Sequence, residues 1–431
     1  FLRTIRDSSV ATYGDEMFEN AIVERRVLWQ RYVIVNAPRG IQHVLLDNAG
    51  NYVKSRIARR LVEPGIGRGL LTSEGETWRR QRRIMAPAFD HRSLVSYAPA
   101  MTEAAAAVRA RWDSLPDGTP LDIAVEMMRL TLRIIARTMF STDADGVGPI
   151  VEEAVGRYQV EVRPGLLDLL NLPDWVPRPR TRPWRHIFDQ LDQVIDRLMR
   201  RDPSATGERK DLLARLLEAR DAETGRAMEP QEVRDQVVTI FMAGHETTAV
   251  ALTWTWYLLS QHPAEEATFH AELERVLGGR APGFDDLAAL RYTRMVLEEA
   301  MRLYPPAHTM SREALADDVI EGHRVAKGSV VSIVPWLIHR HRLLWNRPDV
   351  FDPERFAPER ASARPRFAYI PFGGGPRVCI GASFAMTEAL IILAMLGQHY
   401  RLRLAPGAAV EPVGLITLRP RHGLPMILER R

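Results

Sequence analysis

The sequence predicts a mainly α protein with a small β region, folded as one unit over residues 1–431. Three observations carry this. Apolar residues recur with helical spacing over most of the chain, while strand-like runs are confined mainly to 20–40, 319–334 and 410–430. The stretch 230–262 has proline in its first turn and another just past its end, and 237–259 is apolar almost all round. No internal repeat, low-complexity tract or domain linker interrupts the chain.

Taken in order, 22–30 and 31–35 read as short strands, and Pro38 opens a helical stretch through 41–46. Residues 61–77 are glycine-rich and read as an irregular, mobile loop. From 78 to 158 the periodicity is mostly helical, with a turn at 114–120. The prolines and arginines of 163–185 suggest a loop between helices, and 201–210 a second polar break. The stretch 230–262 is apolar enough to raise a membrane span. His245 and Glu246 at its centre, with amphipathic helices on both sides, favour a buried core helix instead. Strand signals return at 319–325 and 330–334, and near 415–418.

Composition excludes several classes. A hydrophobic fraction of 46% is that of an ordinary globular protein. A net charge of +4 with pI near 9.3 is no nucleic-acid footprint, so no nucleic-acid partner is expected. One cysteine excludes an intrachain disulfide and leaves a thiol free for ligation. Lysine occurs only at Lys54, Lys210 and Lys327, so the positive charge is nearly all arginine, a bias that points to a GC-rich bacterial genome. No signal peptide opens the chain, which gives a cytoplasmic expectation; a removed membrane anchor before Phe1 is the alternative.

The chemistry-bearing stretches are few. Cys379 follows Gly373, Gly374, Gly375 and Pro376, where the backbone must turn tightly, and a helical pattern begins at Ala382. A lone cysteine is commonly a buried small hydrophobe. Here the sulfur lies at a helix mouth, where unpaired N–H groups favour a thiolate suited to a soft metal centre. In the long helix, 243–248 reads Ala-Gly-His-Glu-Thr-Thr. A zinc-protease helix would need histidine at 249, which is alanine. Glu246 beside Thr247 can act as a proton relay, the acid collecting protons from solvent and the hydroxyl passing them on. Glu299 and Arg302 form an i, i+3 pair, and Arg355 supplies a second arginine later in the chain. Trp78 and Arg82 lie about 40° apart around a helix, so both can face one anionic ligand. His339 and His341 have no third partner at metal-ligand spacing and read as structural or surface residues.

In full, Phe372-x-x-Gly375-x-x-x-Cys379-x-Gly381 resembles the haem-ligand loop of the haem-thiolate monooxygenases, the cytochromes P-450, without departure from the pattern. The other motifs stand in the family's order, so the resemblance covers nearly the whole chain. It implies haem b between the long helix and the cysteine helix, with Cys379 as the axial iron ligand. It implies an acid–alcohol pair in Glu246 and Thr247, with Ala243 and Gly244 leaving room for dioxygen and substrate. Glu299, Arg302 and Arg355 would lock the scaffold. Trp78, Arg82, Arg312 and Arg377 would reach the haem propionates. Leu71, Ala243, Ala307 and Ile416 would line a pocket for an apolar small molecule. The implied reaction inserts one oxygen atom from dioxygen. Too few residues follow Cys379 for a flavin domain, so electrons would come from a separate ferredoxin- or flavodoxin-type donor with its reductase. An outward basic patch of Arg80 and Arg83, extended by Arg364 and Arg366, would attract that donor. Two rivals share the fold: a peroxide-driven peroxygenase, which would usually lack the acid–alcohol pair, and a non-catalytic haem sensor, which has no need of Thr247.

Overall fold

The computed structural model describes residues 7–140 and 211–431, with positions 4, 170, 192, 193 and 196. The loop expected at 163–185, the break at 201–210 and the helical pattern at 141–158 lie outside these, apart from residue 170. Eight helices position the site: α1 (Arg56–Ile66), α2 (Gly75–Met85), α3 (His91–Asp113), α4 (Ile123–Phe140), α5 (Pro230–Gln261), α6 (Pro263–Leu277), α7 (Arg291–Leu303) and α8 (Ala382–Gly397).

α5 is the axis of the helical part. The Glu229 side chain caps its start, Glu232 reaches back to the Glu229 N–H, and Pro230 occupies the first turn. At ~1.5 Å per residue its 32 residues span roughly 48 Å. Its interior threonines satisfy themselves within the helix: Thr253 donates to the Ala249 carbonyl and Thr255 to that of Ala251, each at 2.7 Å. α5 packs on α4, where Phe140 and Phe241 stack with centroids 4.3 Å apart. Among the described residues no helix is long and apolar enough to cross a membrane.

The β region comprises β1 (Ile22–Val27), β2 (Gln30–Val35), β3 (Tyr52–Lys54), β4 (Pro120–Asp122), β5 (Met310–Ala314), β6 (Asp318–Ile320), β7 (His323–Val325), β8 (Val330–Ile333), β9 (Tyr400–Leu404), β10 (Pro412–Gly414), β11 (Leu418–Pro420) and β12 (Pro425–Arg430). One sheet runs β1-β2-β8-β5-β3, with β2 and β8 parallel and the other pairs antiparallel. A second runs β4-β12-β9, and β6-β7 and β10-β11 are hairpins. The short strands β3, β4, β5 and β9 carry no period-2 run long enough to read from sequence.

Two expectations are corrected. Residues 61–66 belong to α1, and 67–74 are tied down: the N–H groups of Arg68 and Leu70 donate to Asp235 at 2.7 Å and Gln236 at 2.9 Å on α5. Those two buried side chains turn a glycine-rich stretch into an ordered one. Of the strand expected near 415–418, only Leu418 lies in one, opening β11; 415–417 form the turn between β10 and β11, closed by the Leu415 N–H on the Thr417 carbonyl.

Behind the cysteine loop, Glu299 and Arg302 on α7 are fully buried and joined by bonds of 2.6 and 2.7 Å. Arg302 also donates to the carbonyls of His339, Pro348 and Val350. Arg355 reaches Glu299 at 3.3 Å. His339 accepts the Ile370 N–H and is held neutral by burial and by Arg302, so it is structural. Arg302→Met should therefore lower stability by about 3–5 kcal/mol in urea unfolding, because the fully buried Glu299 loses its main partner. Arg324→Met, at an arginine 77% exposed, should cost under about 1 kcal/mol. Equal costs would remove the buried pair from its structural role.

Candidate functional site

The cysteine loop is shaped by close approach. Gly373 and Gly375 have φ of 73° and 66°, in the region that favours glycine. A Cβ on Gly375 would lie 1.8 Å from the Leu45 carbonyl oxygen, and one on Gly374 2.7 Å from the Phe367 ring. The Cys379 N–H donates to the Phe372 carbonyl at 2.9 Å and closes the loop. Gly381 caps α8 and its N–H donates to the cysteine sulfur. Solvent reaches Cys379, yet the protein around it desolvates the sulfur and raises its pKa. Gly381 and the Arg82 guanidinium pull the other way without prevailing. The helix mouth alone therefore does not make the thiolate; burial outweighs it, and a bound metal cation would deprotonate the thiol outright.

Trp78 and Arg82 on α2 both turn toward this loop. Arg82 donates to the Val378 carbonyl at 2.9 Å. Arg377 lies over the Trp78 ring at 4.3 Å, donates to the Ser73 carbonyl and pairs with Glu74. Arg312 on β5 and Lys54 on β3 are register partners and join Arg377. Burial, then Arg377 and Arg312, push Lys54 down to about 7; burial, then Arg377, push Arg312 down to about 10. Glu74 opposes both shifts. Three cations around one acid are short of negative charge, which is the environment a dicarboxylate such as a porphyrin edge would complete. Sequence reasoning missed Lys54, because its nearness to Arg312 depends on two strands too short to recognise.

The middle of α5 carries a second group of expected site residues. Ala243 is exposed although Phe241, His245 and Glu246 beside it are buried. Leu71, Ala307 and Ile416 are likewise exposed in otherwise packed segments. A Cβ on Gly244 would meet Ile135 at 2.8 Å, so its smallness also serves the packing of α5 on α4. Thr247 donates to the Ala243 carbonyl at 2.8 Å, and Glu246, buried, accepts from Thr417. The Thr247 hydroxyl is thus satisfied within its own helix. His245 is buried and pushed down to about 4, so it is neutral. Glu388 on α8, also unread in the sequence, is fully buried with its pKa raised well above the usual range, beside Thr248.

The expected basic patch is corrected. Arg80 pairs with Glu232 and bonds the Ala227 carbonyl, and Arg83 pairs with Asp221, Glu223 and Glu76. Arg364 lies over Trp345 and Phe356 and donates to the Arg355 carbonyl. Internal acids, rings and carbonyls occupy these arginines; Arg366 is the exposed one of the four.

Gly375→Ala should destabilise the protein far more than Gly118→Ala. Gly118 has φ of 82° but nothing within 4 Å of a new Cβ, so only backbone strain of about 1–2 kcal/mol applies. Equal melting temperatures for the two variants would mean that the loop does not need its contact with Leu45.

A family profile described as Cytochrome P-450 matches residues 12–420. Cyclooctatin synthase of Streptomyces melanosporofaciens is 39% identical over 94% of this chain and 86% of its own length. Pentalenene oxygenase of Streptomyces avermitilis is 38% identical over 83% of this chain and 79% of its own. The crystal structure of cytochrome P-450DA heme domain superposes with a TM-score of 0.83 at 28% identity, covering 95% of this chain and 90% of that one. By this match over most of its length, and by relatives well above 30% identity, the chain belongs to the cytochrome P-450 family of haem monooxygenases.

Proposed function

We propose that the protein is a monooxygenase whose haem b would be held through its iron by Cys379, and that its substrate, which receives one oxygen atom from dioxygen, is terpenoid-like and apolar. The observation that carries this is Cys379, solvent-reached and held by Gly381 on the glycine-built loop that enters α8. The haem carboxylates would lie against Arg377, Arg312, Lys54 and the Trp78 indole, with Arg82 bracing the loop at Val378 and Phe372 fixing the Cys379 N–H. When bound, haem supplies the two-electron reduction of dioxygen and the transfer of one oxygen atom to a C–H or C=C bond.

The chain's own residues orient and protonate. Thr247 presents its hydroxyl beside the exposed Ala243, and Glu246 is the adjoining acid that resupplies it. Leu71, Ala243, Ala307 and Ile416 offer small or aliphatic surface, which suits a hydrocarbon and excludes water. Relatives named for pentalenene and cyclooctat-9-en-7-ol support a terpenoid class. Electrons come from a ferredoxin- or flavodoxin-type protein with its reductase, in the cytoplasm.

In the reduced, CO-bound protein the Soret band should be red-shifted by the thiolate, and Cys379→His should lose that shift. An unchanged band in that variant would overturn the ligation. With pentalenene as probe and a ferredoxin pair, Thr247→Ala should still bind and consume NADH while sending electrons to hydrogen peroxide. Unaltered product per NADH would place the relay elsewhere.

A further inference from the structure

Ala307 and Thr309 are exposed on either side of His308, which is fully buried. The stretch runs between two parts of the site. The Pro306 carbonyl accepts the Leu418 N–H at 3.0 Å, beside the turn that carries Ile416. The Met310 methyl lies 3.9 Å from where a Cβ on Gly373 would stand in the cysteine loop. Thr309 therefore places a hydroxyl in a region whose other open side chains, Ala307 and Ile416, are apolar.

The N-terminal segment is fastened to the same stretch. Ser9 Oγ lies 2.7 Å from His308 Nε2 and donates to the Gly414 carbonyl at 3.1 Å, while Ser8 Oγ accepts the Gly414 N–H at 3.1 Å. Burial pushes His308 down to about 4, so this anchor is uncharged. Beyond it the half-buried Tyr13 meets Thr309, whose side chain hydrogen-bonds the phenol. Desolvation raises the phenol to about 12, which keeps its proton in place. Among the described residues neither hydroxyl bonds any other group. Two hydroxyls that bond only each other use one O–H and leave the second O–H and several lone pairs unused. An alcohol oxygen can take the spare donor and return its own proton to a lone pair. A hydrocarbon in that place would satisfy neither.

We infer that Thr309 and Tyr13 form a hydroxyl-binding subsite: the substrate carries an alcohol that this pair holds, while its hydrocarbon body rests against Ala307. This rests on the terpenoid reading and narrows it to oxygenated members of that class. The reaction that supplies the substrate must then be one that leaves a hydroxyl on the carbon skeleton.

The test uses haem-loaded protein and two probes of one carbon skeleton, farnesol and farnesene, read by the low-to-high-spin Soret shift. The native protein should bind farnesol about three- to tenfold more tightly than farnesene, the range of one net hydrogen bond. Thr309→Val, nearly isosteric, and Tyr13→Phe should each remove most of that preference while keeping haem content and the affinity for farnesene. Thr309→Ser should retain the preference. Equal affinities for the two probes in the native protein would overturn the inference and leave the terpenoid reading standing. So would a preference that survives both variants, or variants that weaken farnesene as much as farnesol. A Soret band moved by neither probe would remove the terpenoid reading, and this inference with it.

Discussion

The buried ion pair of Glu299 and Arg302 is the constraint on which the cysteine side of the molecule depends. Neither residue meets solvent, and the guanidinium satisfies three backbone carbonyls as well as the carboxylate. Taking two charges from water is costly, and full hydrogen bonding is what offsets it. The consequence is positional. The carbonyl of His339 is held by Arg302, the imidazole of His339 accepts the Ile370 N–H, and Tyr369 bonds the Glu298 carbonyl. Ile370 leads directly into Phe372, whose carbonyl closes the cysteine loop. A chain of direct hydrogen bonds thus runs from α7 to the backbone that aims the sulfur.

Charge is distributed unevenly around that scaffold. Most arginines of the surrounding helices and loops pair with acids, stack on aromatic rings or bond backbone carbonyls, so a net charge of +4 creates little free basic surface near α2. The exception is the group of Lys54, Arg312 and Arg377, where Glu74 is outnumbered and burial disfavours the charged forms. Such a group is held at a disadvantage until an anion arrives, and a dicarboxylate would relieve it. The same protein mass raises the thiol pKa of Cys379. Sulfur and cations therefore both favour occupation by a single ligand that is anionic at its rim and a metal cation at its centre.

α5 combines rigidity with one polar interruption. Its threonines bond back to their own helix, Gly244 lets it settle against α4, and Glu246 is committed to the β10–β11 turn. The small exposed surface at Ala243 is left by this packing, and the Thr247 hydroxyl donates to the Ala243 carbonyl there.

What the sequence by itself determined is local. Prolines and caps set the ends of α5, glycine spacing marked the cysteine loop, and i, i+3 spacing gave the Glu299–Arg302 pair, because each follows from the geometry of consecutive residues. Tertiary structure alone decided which distant residues meet. Lys54 joins Arg312 through the pairing of β3 with β5, and Thr417 reaches Glu246 from a turn that had read as a strand. Arginine runs that looked like a docking face turned inward to acids on other segments. Periodicity records which face of an element is apolar, whereas strand register and the orientation of long charged side chains depend on partners far away in the chain.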